Sequence, residues 1–404
     1  MDSLAVRRSG SLASLREGNR KRVIDALRER GRASRADLAR ITGLSRSTVS
    51  TLVADLIDSG LAAEQEATGE GAGHAGRPPV MVSLDTSVGL ALGIDFGHRH
   101  LRVAISDLSH AVLAEVSREM DIDHSAEEGL DAAASFVDQV LEETGGTRDR
   151  LIGAVMGLPA PIDRSTGAVQ DSSILPGWVG VDAAGEASSR LGLPVEVHND
   201  ANLGAIAELV WGAGKGRSEL IYLKVATGIG GGIVSNGHLQ HGVRGTAGEV
   251  GHTRVMDAGP VCRCGNRGCL ETVASGRAIT AMLSESRMEE ISTRRLLELS
   301  TEGDAAARRL IGDAGYAIGV AVANLCNVLN PQCVIVGGDL SAAGETILEP
   351  MRAAVRRNGL PSAVADFEVL AGVLGERAEV LGALALVMRE SERFEAPALM
   401  NEAA

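Results

Sequence analysis

The sequence predicts an N-terminal winged helix-turn-helix followed by an α/β body of two related lobes. Three observations carry that prediction. Residues 18–60 hold three short segments with apolar stripes at helical spacing, the last two separated by a glycine, and a hairpin pattern follows to residue 84. A strand–glycine turn–strand unit then occurs twice, about 130 residues apart, each time followed by helical sequence. Fifty glycines against eight aromatic residues, with 45% apolar and 23% charged residues, describe a turn-rich globular chain packed with small aliphatics. At 404 residues the chain exceeds one ordinary domain of roughly 100–150 residues, so two or three folded units are expected.

In the head, Arg20 to Arg30 carries Val23, Ile24 and Leu27 on one face. Ser34 is placed to cap a second helix, Arg35–Thr42, with Leu38, Ala39 and Ile41 inward. Gly43 supplies the turn, and Ser45 caps a third helix whose apolar face is Val49, Leu52, Val53 and Leu56. The other face offers Ser45, Arg46, Ser47, Thr48, Ser50 and Thr51, short donors and an arginine suited to base edges and phosphates of double-stranded operator DNA. A strand at Leu61–Ala63, a polar loop from Thr68 to Pro79 and a strand at Val80–Leu84 form the wing. In that loop Gly76-Arg77-Pro78 presents Arg77 on a thin backbone able to enter a minor groove. The three-helix pattern alone would also serve protein contacts.

In the body, Leu90–Ile94 and Leu101–Ser106 flank the turn Asp95-Phe-Gly-His-Arg-His100. Leu220–Ala226 and Gly232–Val234 flank Thr227-Gly-Ile-Gly-Gly231. The limits expected are 1–84 for the head, 85–200 for a first lobe rejoined by a C-terminal helix at 375–391, and 201–374 for a second lobe.

Charge is unevenly spread. Residues 1–80 hold thirteen Lys+Arg and ten Asp+Glu, a mildly basic head on a chain whose net charge is −14. That is the balance expected when only the head meets nucleic acid. No uninterrupted apolar run reaches the roughly 20 residues of a membrane span. The N-terminus lacks an apolar signal region, so a cytoplasmic protein is expected.

Five cysteines, an odd number, argue against a disulfide framework. Three of them, Cys262, Cys264 and Cys269, crowd into eight residues just after His252. One imidazole and three thiolates make a closed tetrahedral set for a structural Zn2+, one per chain, with no position open for a catalytic water. A zinc hydrolase is thereby excluded. Cys326 and Cys333 lie in apolar surroundings and read as core residues.

On the runs Gly248-Glu-Val-Gly-His252 and Cys262-Arg-Cys-Gly-Asn-Arg-Gly-Cys269-Leu-Glu271, on Asn199-Asp200 and on the two glycine loops, the chain resembles the ROK family of repressors and sugar kinases. The resemblance implies an actin/hexokinase-like (ribonuclease H-like) two-lobed body, and the head is similar to that of the family's repressors. It also implies that Asn199, Asp200, Glu249, His252 and Glu271 hold sugar hydroxyls, with Asp200 the proton acceptor if the body is a kinase. From the residues alone, Asn199-Asp200 equally reads as the start of a helix at 201–210.

The resemblance is incomplete where phosphate would bind. Family kinases share an Asp-x-Gly-Gly-Thr loop, and Asp95 and Gly97 remain, but His98 and Arg99 replace the second glycine and the threonine. Thr227, Gly228 and Gly230 of the other loop are intact, and Gly337-Gly338 after the strand Cys333–Val336 resembles the nucleotide-side loop. Ile174 stands where many members have asparagine. The expected function is a sugar-responsive regulator, working as a homodimer or homotetramer and binding a small sugar or sugar derivative without phosphorylating it. The competing reading is an active ATP-dependent sugar kinase with a DNA-binding head.

Overall fold

A computed structural model describes residues 12–58, 61–66, 80–85, 89–108, 110–163, 166–169 and 174–391. They form two compact units, one up to Ala91 with Ser106–Leu113 and the residues from Met388 onward, the other Leu92–Ile105 with Ala114–Val387.

The head runs α1 (Leu12–Arg30), β1 (Arg32–Ser34), α2 (Arg35–Thr42), α3 (Arg46–Asp58), β2 (Ala62–Glu66) and β3 (Val80–Leu84). Ser34 Oγ accepts from Asp37 N at 3.1 Å and the Asp37 carboxylate accepts from Ser34 N at 3.4 Å, a reciprocal capping box. Gly43 ends α2 in the left-handed region at φ 70°, where a side chain would be strained. Val23, Ile24, Leu27, Leu38, Val49, Leu52, Val53 and Leu56 share one core with Ala62 and Val82 of the wing strands.

Three expectations need correction. Helix α1 starts at Leu12 rather than Arg20, and β2 is Ala62–Glu66 rather than Leu61–Ala63. Ile41 is 38% exposed, Leu38 being the only fully buried side chain of the eight-residue α2. Strand β1 was not legible: three residues between helices carry no period, and Ala33 becomes a strand residue only by pairing antiparallel opposite Val82. The sheet order is β1-β3-β2. Arg77 and its loop lie outside the described residues.

The chain continues through β4 (Leu90–Gly97), β5 (His100–Asp107), β6 (Val112–Glu119), α4 (Ala126–Thr144), β7 (Leu151–Leu158), α5 (Ala183–Leu191) and β8 (Val195–Asn199). Next come α6 (Asp200–Val210), β9 (Leu220–Val225), β10 (Ile229–Ser235), β11 (His238–Leu239), α7 (Glu271–Ala274) and α8 (Gly276–Arg287). The chain then runs through α9 (Thr293–Glu302), α10 (Ala305–Leu329), β12 (Cys333–Gly337), α11 (Glu345–Asn358), α12 (Pro361–Val364) and β13 (Glu368–Ala371), and α13 (Ala378–Ser391) follows. The two sheets have the orders β6-β5-β4-β7-β8 and β11-β10-β9-β12-β13. They correspond strand for strand, which is the structural content of the repeated strand–turn–strand unit.

Strands run further into the glycine turns than expected. Asp95 and Phe96 are fully buried, and Phe96 packs edge-on against Trp178 with ring centroids 5.3 Å apart. Burial therefore holds them in β4 and leaves only His98-Arg99 as the turn. Among the described residues α10 alone is long and apolar enough to cross a membrane, but half of its apolar window is buried. Ile311, Ile318 and Val322 pack into one core with Leu223 and Val336. Helix α11 crosses α10 closely: a Cβ on Gly315 would lie 2.3 Å from the Ile347 carbonyl oxygen. Helix α13 returns to β4, where a Cβ on Gly93 would lie 2.8 Å from the Val380 carbonyl oxygen.

Candidate functional site

A cleft between the two sheets of the body gathers most of the residues singled out above. Gly97, His98, Arg99, Asn199 and Ile174 line it with Asp200, Thr227, Gly228, Gly230, Glu249, His252 and Glu271. The cleft is also lined by His100, Lys224, Arg263 and Asp339, which the motifs did not single out.

Asn199 ends β8 and Asp200 opens α6. Asn199 Oδ1 accepts from Asn202 N at 3.2 Å while its Nδ2 donates to the Ala160 carbonyl at 3.2 Å. The helix-cap role is thus real, and it orients the pair at the cleft. Asp200 Oδ1 accepts from Ala201 N at 2.7 Å. Its Oδ2 accepts from Lys224 Nζ at 2.9 Å, and the same ammonium lies 3.2 Å from Glu379 Oε1. Burial works against the Lys224 charge, but Asp200, Glu379 and Asp95 outweigh it and hold its pKa well above the ordinary lysine value. Burial pushes Glu379 up to about 7 against the pull of Lys224. A lone lysine has no period or spacing to betray it. Its one sequence signal is rarity, since the chain has three lysines in all.

The obstruction at the first glycine loop comes from a different residue than expected. His98 turns aside, its Nδ1 2.7 Å from Asp123 Oδ1. Instead the His100 ring folds back over Gly97, where an added Cβ would lie 2.1 Å from His100 Cε1, and its Nε2 meets Asp95 Oδ2 at 2.9 Å. Asp95 itself is fully buried beneath the loop. Burial opposes both charges, yet their mutual bond prevails: Asp95 lies below its ordinary 3.8 and His100 above its ordinary 6.5. The Asp95 contribution to stability is present above the unfolded value and lost as pH falls. The His100 contribution is present below 6.5 and lost as pH rises through the folded value. The melting-temperature gap between the unmodified chain and His100→Gln should therefore be widest between the two ordinary values, 3.8 and 6.5, and shrink as pH rises through the raised folded value of His100. A gap constant across about pH 4–9 would show that the two groups do not titrate as a charged pair in the folded protein.

His252, Cys262, Cys264 and Cys269 place four ligand atoms within 4.8 Å of one another. A tetrahedron with Zn–S of about 2.3 Å and Zn–N of about 2.0–2.1 Å has edges of about 3.8 Å between sulfurs and about 3.5 Å between sulfur and nitrogen. Cys264 and Cys269 Sγ are 3.7 Å apart, and Cys262 Sγ is 3.6 Å from His252 Nδ1. The donor set fits a tetrahedral metal. Burial opposes the Cys264 thiolate, but the Asn266 backbone and neighbouring thiols outweigh it and hold this thiol below its usual value. Burial, then the thiols beside it, pushes Cys269 up to about 12, so a cation must bring out the remaining protons. His252 was expected both on sugar and on metal, and its ring is placed for both sides. Nδ1 meets the thiols, while Nε2 lies 3.8 Å from Glu249 Oε2 in the cleft.

In the head, Ser45 Oγ accepts from Thr48 N at 3.1 Å and lies within 2.9 Å of the Ser47 hydroxyl. Ser45 and Thr48 are thus engaged at the start of α3. Arg46, Ser47 and Thr51 are exposed, and Ser50 is half-buried.

A ROK family profile matches residues 91–390, and a winged helix-turn-helix DNA-binding profile matches residues 16–62. The xylose repressor of Caldicellulosiruptor bescii is 30% identical over 398 residues, 95% of this chain and 99% of that protein. The glucokinase of Thermotoga maritima is 34% identical over 310 residues, 73% of this chain and 96% of that enzyme. Among solved structures, a ROK family transcriptional regulator described as a homologue of Escherichia coli Mlc superposes with a TM-score of 0.77 at 25% identity, covering 94% of this chain and 97% of that one. With the family profile spanning most of its length behind a winged helix-turn-helix head, the chain belongs to the ROK family.

Proposed function

We propose that the protein is a sugar-responsive DNA-binding transcriptional regulator of the cytoplasm, a repressor of carbohydrate uptake or catabolism genes, whose body senses a sugar without phosphorylating it. The observation that carries this reading is the His100 ring packed over Gly97 and bound to Asp95. Phosphoryl transfer rests on positioning and charge stabilisation of the transferred group. With one of two glycine loops filled by a side chain, the γ-phosphate has no second clamp, and misplacement by about 1 Å costs on the order of a hundredfold. Its likeness to a protein named xylose repressor along nearly its whole length supports the same reading.

In this reading Asn199, Asp200, Glu249, His252 and Glu271 grip sugar hydroxyls. His252, Cys262, Cys264 and Cys269 hold one structural zinc, which supplies rigidity to the loop and no chemistry to a ligand. The head, 1–84, reads operator DNA with Ser45, Arg46, Ser47, Thr48, Ser50, Thr51 and Arg77. The body divides into lobes at 85–200, with the helix at 375–391, and 201–374. Two recognition helices must meet half-sites about one helical turn apart, so the working form is a homodimer or homotetramer. Sugar binding changes the angle between the lobes and shifts the relative placement of the two heads.

A second reading, a working sugar kinase, is favoured by the intact Thr227, Gly228 and Gly230 loop and by Asp200 at the cleft. Calorimetry with pentoses, hexoses and N-acetylhexosamines separates the two. The regulator should bind one of them independently of ATP and magnesium, and Asp200→Asn should weaken that binding because a hydroxyl loses its charged acceptor. Incubation with ATP should yield no sugar phosphate above background. Turnover at ordinary kinase rates, abolished by Asp200→Asn, would establish the kinase instead.

A further inference from the structure

We propose that Arg263 is a sugar-specificity residue: its guanidinium and the Glu271 carboxylate act as one donor–acceptor pair on adjacent hydroxyls of the ligand. The assignment rests on the sugar-sensing reading. Arg263 stands between two cysteines of the metal set, yet its side chain leaves the thiols for the cleft and is only 18% exposed. Its Nε donates to Glu271 Oε1 at 2.9 Å. The other oxygen, Glu271 Oε2, accepts from Ile229 N at 3.3 Å. A Cβ on Gly228 would lie 2.8 Å from Glu271 Oε2 and 3.3 Å from an Arg263 terminal nitrogen, so the pair lies against the bare backbone of the glycine loop. Any side chain at 228 would displace it.

This arrangement does what neither residue does alone. An ionised carboxylate only accepts, and a guanidinium only donates through five N–H groups, of which one is used here. Each hydroxyl of a vicinal diol both donates and accepts, so a rigid carboxylate beside a rigid fork reads the orientation of two neighbouring hydroxyls. An analogue lacking one of them leaves a half-buried polar group unpaired, which is the strongest way a pocket rejects a ligand. The fork is held by its setting. Cys262 N donates to the Asn266 carbonyl at 2.7 Å and Gly265 N to the Cys262 carbonyl at 2.9 Å, closing a tight turn around residue 263. With both flanking thiols directed at one point, the arginine stem starts from a fixed backbone. A merely structural ion pair, by contrast, would hold the loop and read nothing of the ligand.

The test titrates the full-length protein with D-xylose, D-glucose and N-acetyl-D-glucosamine, then repeats the titration of the binder with its monodeoxy analogues. The unmodified chain should reject one monodeoxy analogue by more than about tenfold. Arg263→Ala, with metal content and far-ultraviolet circular dichroism unchanged, should bind the parent sugar at least about tenfold more weakly and lose that discrimination. Arg263→Lys, which keeps charge without the fork, should fall between. In the Glu271→Gln background the arginine substitution should cost much less, since the two act as a unit. Binding of the parent sugar and its analogues equally by the unmodified chain and Arg263→Ala would overturn the assignment and leave the sensor intact. Binding of no pentose, hexose or N-acetylhexosamine by the unmodified chain would overturn both.

Discussion

Replacing Cys264 with serine is expected to strip the protein of its metal and to loosen the cleft with it. The loop from Gly248 to Glu271 has little secondary structure of its own. It holds one short 3-10 turn at Val250–His252 and the isolated bridges Arg254 with Cys269 and Val261 with Arg267. Backbone hydrogen bonds such as Val255 N to the Gly268 carbonyl and Leu270 N to the Thr253 carbonyl fold it back, and a metal on the four converging ligands would lock it. Structural zinc in small peptides is bound with about 10–16 kcal/mol near neutral pH. A serine hydroxyl does not ionise in this range and is too hard a donor to replace the thiolate. Fresh, reduced, dialysed protein should contain about one zinc per chain, and Cys264→Ser about none. The variant should also melt several degrees lower and bind sugar more weakly, because Glu249, His252, Arg263 and Glu271 ride on the same loop. Elemental analysis of the unmodified chain that finds no zinc would remove the metal from the account.

The second large effect is on DNA. Deleting residues 1–84 should abolish operator binding, and the intact protein should lose affinity steeply with salt as phosphate contacts release counterions. Within the head, Arg46→Ala should cost about 1–3 kcal/mol and relax selectivity at one base pair if the guanidinium reads guanine. Arg46 is exposed at the start of α3, where it is free of core packing, so its loss should leave folding untouched. Arg77→Ala should matter most where flanking A·T-rich sequence narrows the minor groove. Electrophoretic mobility shifts over a salt series with matched and substituted operators measure all four. An operator complex that survives loss of the head would show that another surface reads the DNA.

Much of this protein was legible before any coordinates. The caps at Ser34 and Ser45, the turn at Gly43 and the apolar face of α3 depend on side chains acting on backbone a few residues away. The Cys and His spacing is likewise local, because the four ligand atoms that converge within 4.8 Å belong to one tight loop. The repeated glycine turns announced two equivalent sheets, because each sheet is built around the same turn.

Only the tertiary structure decided which charges meet. Lys224 on β9 reaches both Asp200 and Glu379, the latter on the C-terminal helix, and no period relates those positions. His100 rather than His98 closes the first glycine loop, because buried Asp95 beneath it offers a carboxylate while His98 finds Asp123 on the other side. Strand β1 exists because β3 lies alongside it, and Arg263 enters the cleft because Glu271 and bare Gly228 leave it a seat. Sequence patterns report interactions that decay within a turn of chain. A buried charge must find its counter-charge wherever the fold brings one, since leaving it unpaired costs several kcal/mol.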